Sequence, residues 1–251
     1  MMRQFLISIF LFLYLSTSYA NGLVPNDTIW KKKKNGERFY VIYNGEVDPP
    51  PLRKAVPCFE IGLNTFTGDV PDAYTLRTIS ARYVGVGFHE RFRVGGEESW
   101  WAIQIGIEGT WNNFRFDADE YLVATDEGNA FVENGFELSR NKLTSVQIGV
   151  PLMAHYQFRK DNESTWQVGL GGYASYVVSS YSKIRFEDEE GITRKNKSFS
   201  DFELNPFRVG LQALVGYKQV NLFVKYDVTP LFEEGNVPDI QVLTFGIRLQ
   251  P

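Results

Sequence analysis

The feature that most constrains this chain is an apolar residue at every second position, which recurs in eight segments between residues 58 and 250. In the run WQVGLGGYASYVV, one set of alternate positions holds the apolar residues Trp166, Val168, Leu170, Ala174 and Tyr176, and the positions between them include Gln167, Gly169, Gly171 and Ser175. Such alternation predicts half-buried β-strands, and no stretch after residue 20 shows a comparable helical period. A chain of 251 residues can hold eight such strands in one all-β domain.

The connections between the eight segments alternate in length. Long polar stretches cover residues 117–142 and 187–202, whereas the links near residues 94–99, 160–164 and 219–221 are short. Long and short connections alternate in this way in up-and-down barrels that have one rim outside the cell and the other in the periplasm. The sequence therefore predicts an eight-stranded antiparallel up-and-down transmembrane β-barrel.

The spacing of aromatic residues separates a membrane barrel from a soluble one, which alternation alone cannot do. On three apolar faces, aromatic residues stand ten positions apart: Trp101 and Trp111, Trp166 and Tyr176, Phe207 and Tyr217. Ten residues of a tilted strand rise about 25 Å, which is the height of an outer-membrane apolar band. These pairs are predicted to form two aromatic girdles around a lipid-facing belt.

The opposite parity is predicted to face the barrel lumen. It is rich in Gly, Gln, Thr and Ser, and it carries charges of both signs: Arg91, Glu108, Arg208, Lys225, Asp227 and Arg248. Because an unpaired charge in a narrow lumen is unfavourable, we expect salt bridges and hydrogen bonds among these residues. Eight strands enclose an interior just wide enough for side chains, so we do not expect an open pore.

The N-terminus has the pattern of a secretory signal peptide. Arg3 precedes the apolar run FLISIFLFLYL, and small residues, Ser18 and Ala20, follow at the cleavage position. We interpret residues 1–20 as the signal peptide, 21–57 as a periplasmic extension and 58–251 as the barrel; a retained membrane anchor is the alternative. The extension holds the basic run Lys31–Lys34, a possible hairpin and a proline-rich spacer, and a role for the basic run is left open.

Composition argues against several classes of chemistry. A formal net charge of −4 gives no reason to expect nucleic acid, and a single cysteine, Cys58, excludes a disulfide scaffold. His89 and His155 have lumen parity and lack a nucleophile motif, so we favour hydrogen-bonded lumen histidines over catalytic or metal-binding ones. No cofactor, metal site or enzymatic activity is predicted, and the acidic residues of the long loops are interpreted as solvated.

The chain resembles the small outer-membrane β-barrels of Bacteroidota-type bacteria known as PorT-like, which are related in architecture to the OmpA membrane domain. The resemblance rests on the signal peptide and on the runs VQIGVPLMAHYQF, LGGYASY, LFVKYDVTPLF and VLTFGIRL. It covers roughly residues 57 to 250 and implies an outer-membrane location. One departure is the C-terminus, Leu249-Gln250-Pro251, where such barrels often end in an aromatic residue.

The sequence therefore predicts an outer-membrane barrel with a structural or interaction role, with accessory work in secretion or surface assembly as one form of it. Its partners would be membrane lipid and a protein bound by the long loops or by residues 21–57. Three alternatives stay open: a soluble exported barrel that binds an apolar ligand, an outer-membrane barrel enzyme, and a small channel.

Overall fold

The computed structural model describes residues 55–77, 79–95, 99–117, 120–125, 128–133, 138–160, 163–233 and 239–250. The predicted signal peptide and residues 21–54 of the predicted extension, including Lys31–Lys34, lie outside this part of the chain. None of the described residues forms a helix long and apolar enough to cross a membrane. A single 3₁₀ turn, Asp72–Tyr74, occurs among them.

Eleven strands form in the described part of the chain. In order they are β1 Val56–Gly68, β2 Arg82–Arg93, β3 Trp101–Arg115, β4 Glu120–Thr125, β5 Gly128–Glu133, β6 Leu138–Lys160, β7 Glu163–Glu187, β8 Thr193–Phe199, β9 Phe207–Tyr217, β10 Val220–Asp227 and β11 Ile240–Leu249.

Eight of these strands close into a barrel. Their hydrogen-bonded order is β6-β3-β2-β1-β11-β10-β9-β7, and β6 also pairs with β7, which joins the two ends of the sheet. Each pairing is antiparallel. Closure leaves no unpaired edge within the ring, which is the requirement for a sheet in lipid. The predicted fold class is confirmed.

Three further strands lie in the connections that were predicted to be solvated loops. β4 and β5 form a separate two-stranded hairpin, and β8 pairs with the outer half of β7. β6 and β7 continue past the ends of their neighbours, and β8 covers the edge of β7 that would otherwise be unpaired. We call the barrel end that carries these elements the long-loop end and the opposite end the short-turn end.

The apolar parity faces outward on every barrel strand. Leu170 and Phe207 are each 68% exposed, whereas the polar residues between the apolar positions are buried in the lumen. A soluble barrel that binds an apolar ligand has the reverse arrangement, because its apolar side chains pack inside. The structure therefore contradicts that alternative.

The six predicted girdle residues lie at the two ends of this outward apolar surface. At the short-turn end, Trp101 contacts Tyr156, and the rings of Trp166 and Tyr217 are 5.5 Å apart. At the long-loop end, the rings of Tyr176 and Phe207 are 5.0 Å apart, and Trp111 occupies the corresponding position on β3. Cross-strand pairing brings these rings together because the partner residues sit at the same level in neighbouring strands.

Candidate functional site

The centre of the lumen holds four buried charges from four strands. Lys225 Nζ on β10 lies 2.7 Å from Glu60 Oε2 on β1 and 2.7 Å from Glu108 Oε2 on β3. Arg248 on β11 donates from Nε to Glu60 Oε1 at 2.5 Å, and its Nη2 lies 3.5 Å from Glu108 Oε1. Two carboxylates and two cations make this group neutral, as burial of charge requires. We call Glu60, Glu108, Lys225 and Arg248 the central ion cluster.

Uncharged groups complete the central ion cluster. Tyr83 donates its hydroxyl to Glu60 Oε2 at 2.6 Å and accepts from Lys225 Nζ at 2.9 Å. Arg248 Nη2 also donates to Gln212 Oε1 at 3.2 Å. The charged groups of the central ion cluster are therefore paired with each other and with neutral partners from several strands of the ring.

A second ion pair lies beside the central ion cluster. Arg208 on β9 pairs with Asp227 on β10, and the Tyr173 hydroxyl donates to the same carboxylate. Lys225 and Asp227 are two residues apart on β10, so both point into the lumen one step apart. Asp227 thus neutralises Arg208, which is almost fully buried.

Arg91 lies nearer the short-turn end and has amide partners. Its Nη2 donates to Gln104 Oε1 at 2.9 Å, and its Nη1 donates to Gln167 Oε1 at 3.0 Å. Gln104 Nε2 also lies 2.9 Å from His89 Nδ1, and His89 Nε2 lies 2.9 Å from Glu108 Oε1. A chain of polar contacts therefore runs from Arg91 to the central ion cluster.

The two histidines differ in their surroundings. His89 has the polar partners just described, whereas His155 is fully buried and its ring nitrogens find no hydrogen-bond partner among the described residues. A Cβ on Gly169 would lie 3.1 Å from the His155 ring, so this glycine makes room for it. The expectation of a hydrogen-bonded lumen histidine therefore describes His89 and not His155.

One group of residues has the composition of a metal site. Ligand atoms of Cys58, His89 and Glu108 lie within 4.8 Å of one another, all buried. Both Glu108 oxygens already face cations, Lys225 at 2.7 Å and Arg248 at 3.5 Å. A divalent ion would compete with those two cations for the same carboxylate and would be repelled by them.

The lumen contains a small cavity beside the central ion cluster. A polar cavity of about 30 Å³ lies between Tyr83, Tyr173, Gln147 and the central ion cluster. Such a volume holds about two water molecules. It is too small for an organic ligand, since ligand pockets typically measure about 300 Å³ or more.

An apolar cluster closes the lumen at the long-loop end. It combines inward-facing residues of the strand ends with residues of the loops above them: Tyr74, Phe114, Phe116, Leu122, Leu143, Phe202, Leu204, Leu231, Phe232, Ile240 and Val242. We call this group the apolar cap. Tyr74 lies within it, with ring centroids 4.6 Å from Phe131 and 5.6 Å from Phe232. Burial in the apolar cap, together with the charge of Glu203, raises the pKa of Tyr74 to about 12.

Comparison with known proteins agrees with this architecture. A family model described as an outer membrane protein beta-barrel domain matches residues 67–231. The chain belongs to this family. As an outer-membrane barrel, the protein is located in the outer membrane and contacts its lipid through the outward apolar surface.

Solved structures that resemble this outer-membrane barrel include Ail, the attachment invasion locus protein of Yersinia pestis, crystallised with the heparin analogue sucrose octasulfate. The two chains are 11% identical, the match covers 78% of this chain and 96% of Ail, and the TM-score is 0.32. No curated protein matches the chain.

The structure distributes the six predicted lumen residues over three places. Glu108, Lys225 and Arg248 meet in the central ion cluster, Arg208 and Asp227 form the neighbouring pair, and Arg91 is linked to the cluster through Gln104 and His89. Glu60 is a fourth member of the central ion cluster that was not among the predicted lumen residues, although it alternates with the apolar residues Phe59 and Ile61 and therefore has lumen parity.

The apolar cap was not anticipated either. Phe114 and Phe116 share the parity of Glu108 and therefore face inward, whereas a polar lumen was predicted for the whole barrel. The predicted polar filling describes the membrane-spanning part, whereas the long-loop end is filled by apolar side chains. Inward-facing aromatic residues at the end of β3 were the available indication.

Proposed function

We propose that this outer-membrane barrel is a closed structural and interaction protein, neither a channel nor an enzyme, that presents its long-loop end to a protein partner. Accessory work in secretion or surface assembly, the role linked to some PorT-like barrels, is the form of this function we favour. The observation that carries the proposal is the double closure of the lumen. Side chains of the central ion cluster bridge opposite walls of the lumen in its middle, and the apolar cap covers the long-loop end.

A role as an interaction protein is supported by what the fold adds outside the barrel ring. β4, β5 and β8 are not needed to close the sheet, yet they are built as strands. β8 is exposed on both faces along its whole length. Because long loops of outer-membrane barrels face the cell exterior, we assign these elements to the outer surface. A partner protein would there meet ordered strands.

The absence of an open pore is tested in planar bilayers. The purified barrel is expected to give no steady single-channel conductance at moderate voltage. A stable conductance step with defined ion selectivity would contradict the closed lumen and favour the small channel.

The protein partner is tested by photo-crosslinking in intact cells. A photoreactive amino acid replaces Asn196, which is exposed on β8, and in a control it replaces Leu170, which faces lipid at mid-height. We expect a discrete protein adduct at position 196 and none at position 170. If no adduct forms at 196, and replacement of residues 188–201 by a short turn leaves surface protein display intact, the interaction role is wrong.

A further inference from the structure

Seven cations lie side by side on the outward face just beyond the girdle at the long-loop end. Direct cross-strand partners form one row, Arg115, Lys142, Lys183 and Lys197, on β3, β6, β7 and β8. A second row, two residues further out, consists of Arg140, Arg185 and Lys195. We call these seven residues the basic patch.

Parity and height place the basic patch beside the membrane surface. Arg115 has the same parity on β3 as Trp111, so both point away from the lumen. Four residues of tilted strand put Arg115 roughly 10 Å beyond Trp111. The polar headgroup region begins where the aromatic girdle ends and is about 5–8 Å thick per leaflet. The backbone of the first row therefore stands just beyond this region, and its long Arg and Lys side chains can reach back to the phosphates of the headgroups.

Like charges that directly face each other across a sheet destabilise it, so an anion bound at the basic patch would relieve this repulsion. Among the described residues, the ion pairs formed at this end are Arg77 with Asp117 and Arg194 with Asp188, and neither involves the patch. Lys142 Nζ donates instead to the neutral Asn113 Oδ1 at 2.8 Å. Partial burial and the charges of Lys183, Arg140 and Lys197 lower the pKa of Lys142 to about 8.

Apolar surface lies directly below the cations. The rings of Tyr181 and Phe199 pack at an angle of 56° with centroids 5.6 Å apart, and Lys197 Nζ lies 3.7 Å and 4.2 Å from these centroids. The rings hold the ammonium group in place through cation–π contact. Phe199 is nevertheless 62% exposed, and Phe207 and Tyr176 continue the apolar surface toward the membrane centre. A ligand that fits this surface has anionic groups above and hydrocarbon below.

We propose that the basic patch binds the phosphate groups of lipopolysaccharide in the outer leaflet, with the lipid's acyl chains against Phe199 and the girdle. Two rows of cations just above the headgroup region suit a phosphorylated sugar lying on the membrane surface. A soluble polyanion would use the cations but would leave the adjoining apolar surface uncovered. The basic patch faces the lipid, whereas Asn196 has the opposite parity on β8. The proposed lipid site is therefore separate from the position that tests the protein partner.

The test measures binding of lipid A to the whole barrel. The protein is purified from outer membranes, exchanged into phosphatidylcholine nanodiscs and titrated with phosphorylated or dephosphorylated lipid A, with bound lipid counted by native mass spectrometry. The test variant carries Lys183→Gln and Lys197→Gln. The control carries Arg194→Gln and Lys218→Gln, which remove the same charge outside the patch. A heat-dependent shift in gel mobility verifies folding of each variant.

We expect the test variant to bind phosphorylated lipid A roughly 10- to 30-fold more weakly, with the control unchanged, because each cation near an anionic surface contributes about 1 kcal/mol. Removal of the phosphates should weaken binding to the wild type to a similar extent. Equal loss in test and control variants would overturn the proposal. The proposal would also be wrong if the wild-type barrel bound dephosphorylated lipid A as tightly as phosphorylated lipid A. Inorganic pyrophosphate that binds as tightly as lipid A would overturn the assignment to a lipid.

Discussion

Replacement of Lys225 by Met should destabilise the barrel more than any other single removal of a lumen cation. Lys225 Nζ contacts Glu60 and Glu108 at 2.7 Å each and is buried among strands from opposite sides of the ring. Methionine has a similar length but no charge, so two carboxylates then share Arg248 as their sole cation within the central ion cluster. Breaking a buried pair in this way costs about 3–5 kcal/mol of unfolding free energy.

The assay is equilibrium unfolding by guanidinium in lipid vesicles. Trp101 and Trp166 are lipid-exposed and report the loss of the membrane environment by fluorescence, and gel mobility gives a second probe. Lys218→Met, in the turn between β9 and β10, is the matched control and should change stability by less than about 0.5 kcal/mol.

A second substitution tests the reason for the loss. Glu108→Gln in the Lys225→Met background restores a neutral cluster and keeps the Glu60–Arg248 contact. We expect the double variant to recover about 1.5–3 kcal/mol, because residues of one network couple by up to that amount. A cost below about 1 kcal/mol for Lys225→Met, or a double variant that loses the sum of the single effects, would refute the electrostatic reasoning.

Three further outcomes follow from individual residues. Gly106→Ala should lower the free energy of unfolding by about 1–3 kcal/mol, because the new Cβ would collide with His89 and with the Phe88 carbonyl. Gly109→Ala is the control and should be near neutral, because the nearest atom to its new Cβ lies 3.8 Å away. Guanidinium unfolding distinguishes the two variants. Cys58 is 4% exposed, so maleimide should label it slowly in the folded barrel and fully after unfolding; rapid labelling of folded protein would contradict its burial. The pKa of Lys142 falls from 10.5 to about 8 on folding, so the rate at which Lys142 is acetylated in the folded barrel should be half-maximal near pH 8. Because the unfolded chain binds the proton more tightly, this group should add stability as pH rises from 8 to 10.5, and Lys142→Gln should remove that gain.

Much of the barrel follows from local pattern alone. A strand alternates its side chains between two faces, so the positions of Trp166, Leu170 and Tyr176 on one parity were enough to assign them to the outside. The same rule assigned Glu108, Lys225 and Arg248 to the lumen. Each of these statements depends only on neighbours within a single strand, and periodicity records that information directly.

What only the tertiary structure decided is which lumen residues meet. Glu60 and Lys225 are 165 residues apart, and Glu60 and Arg248 are 188 apart. Their contact depends on the register of each strand pair and on the closure of the ring, and parity carries no information about either. Glu60 was missed for this reason.

The long-loop end shows the same division. Its sequence is polar overall, yet isolated residues such as Tyr74, Phe202 and Phe232 converge from separate connections to form the apolar cap. The basic patch likewise requires β8 to pair with β7, which brings Lys197 level with Lys183 and Lys142. The sequence by itself determined which face of each strand meets lipid, because that choice is local. The pairing between strands determined the closed lumen, the apolar cap and the basic patch, because those depend on contacts between distant parts of the chain.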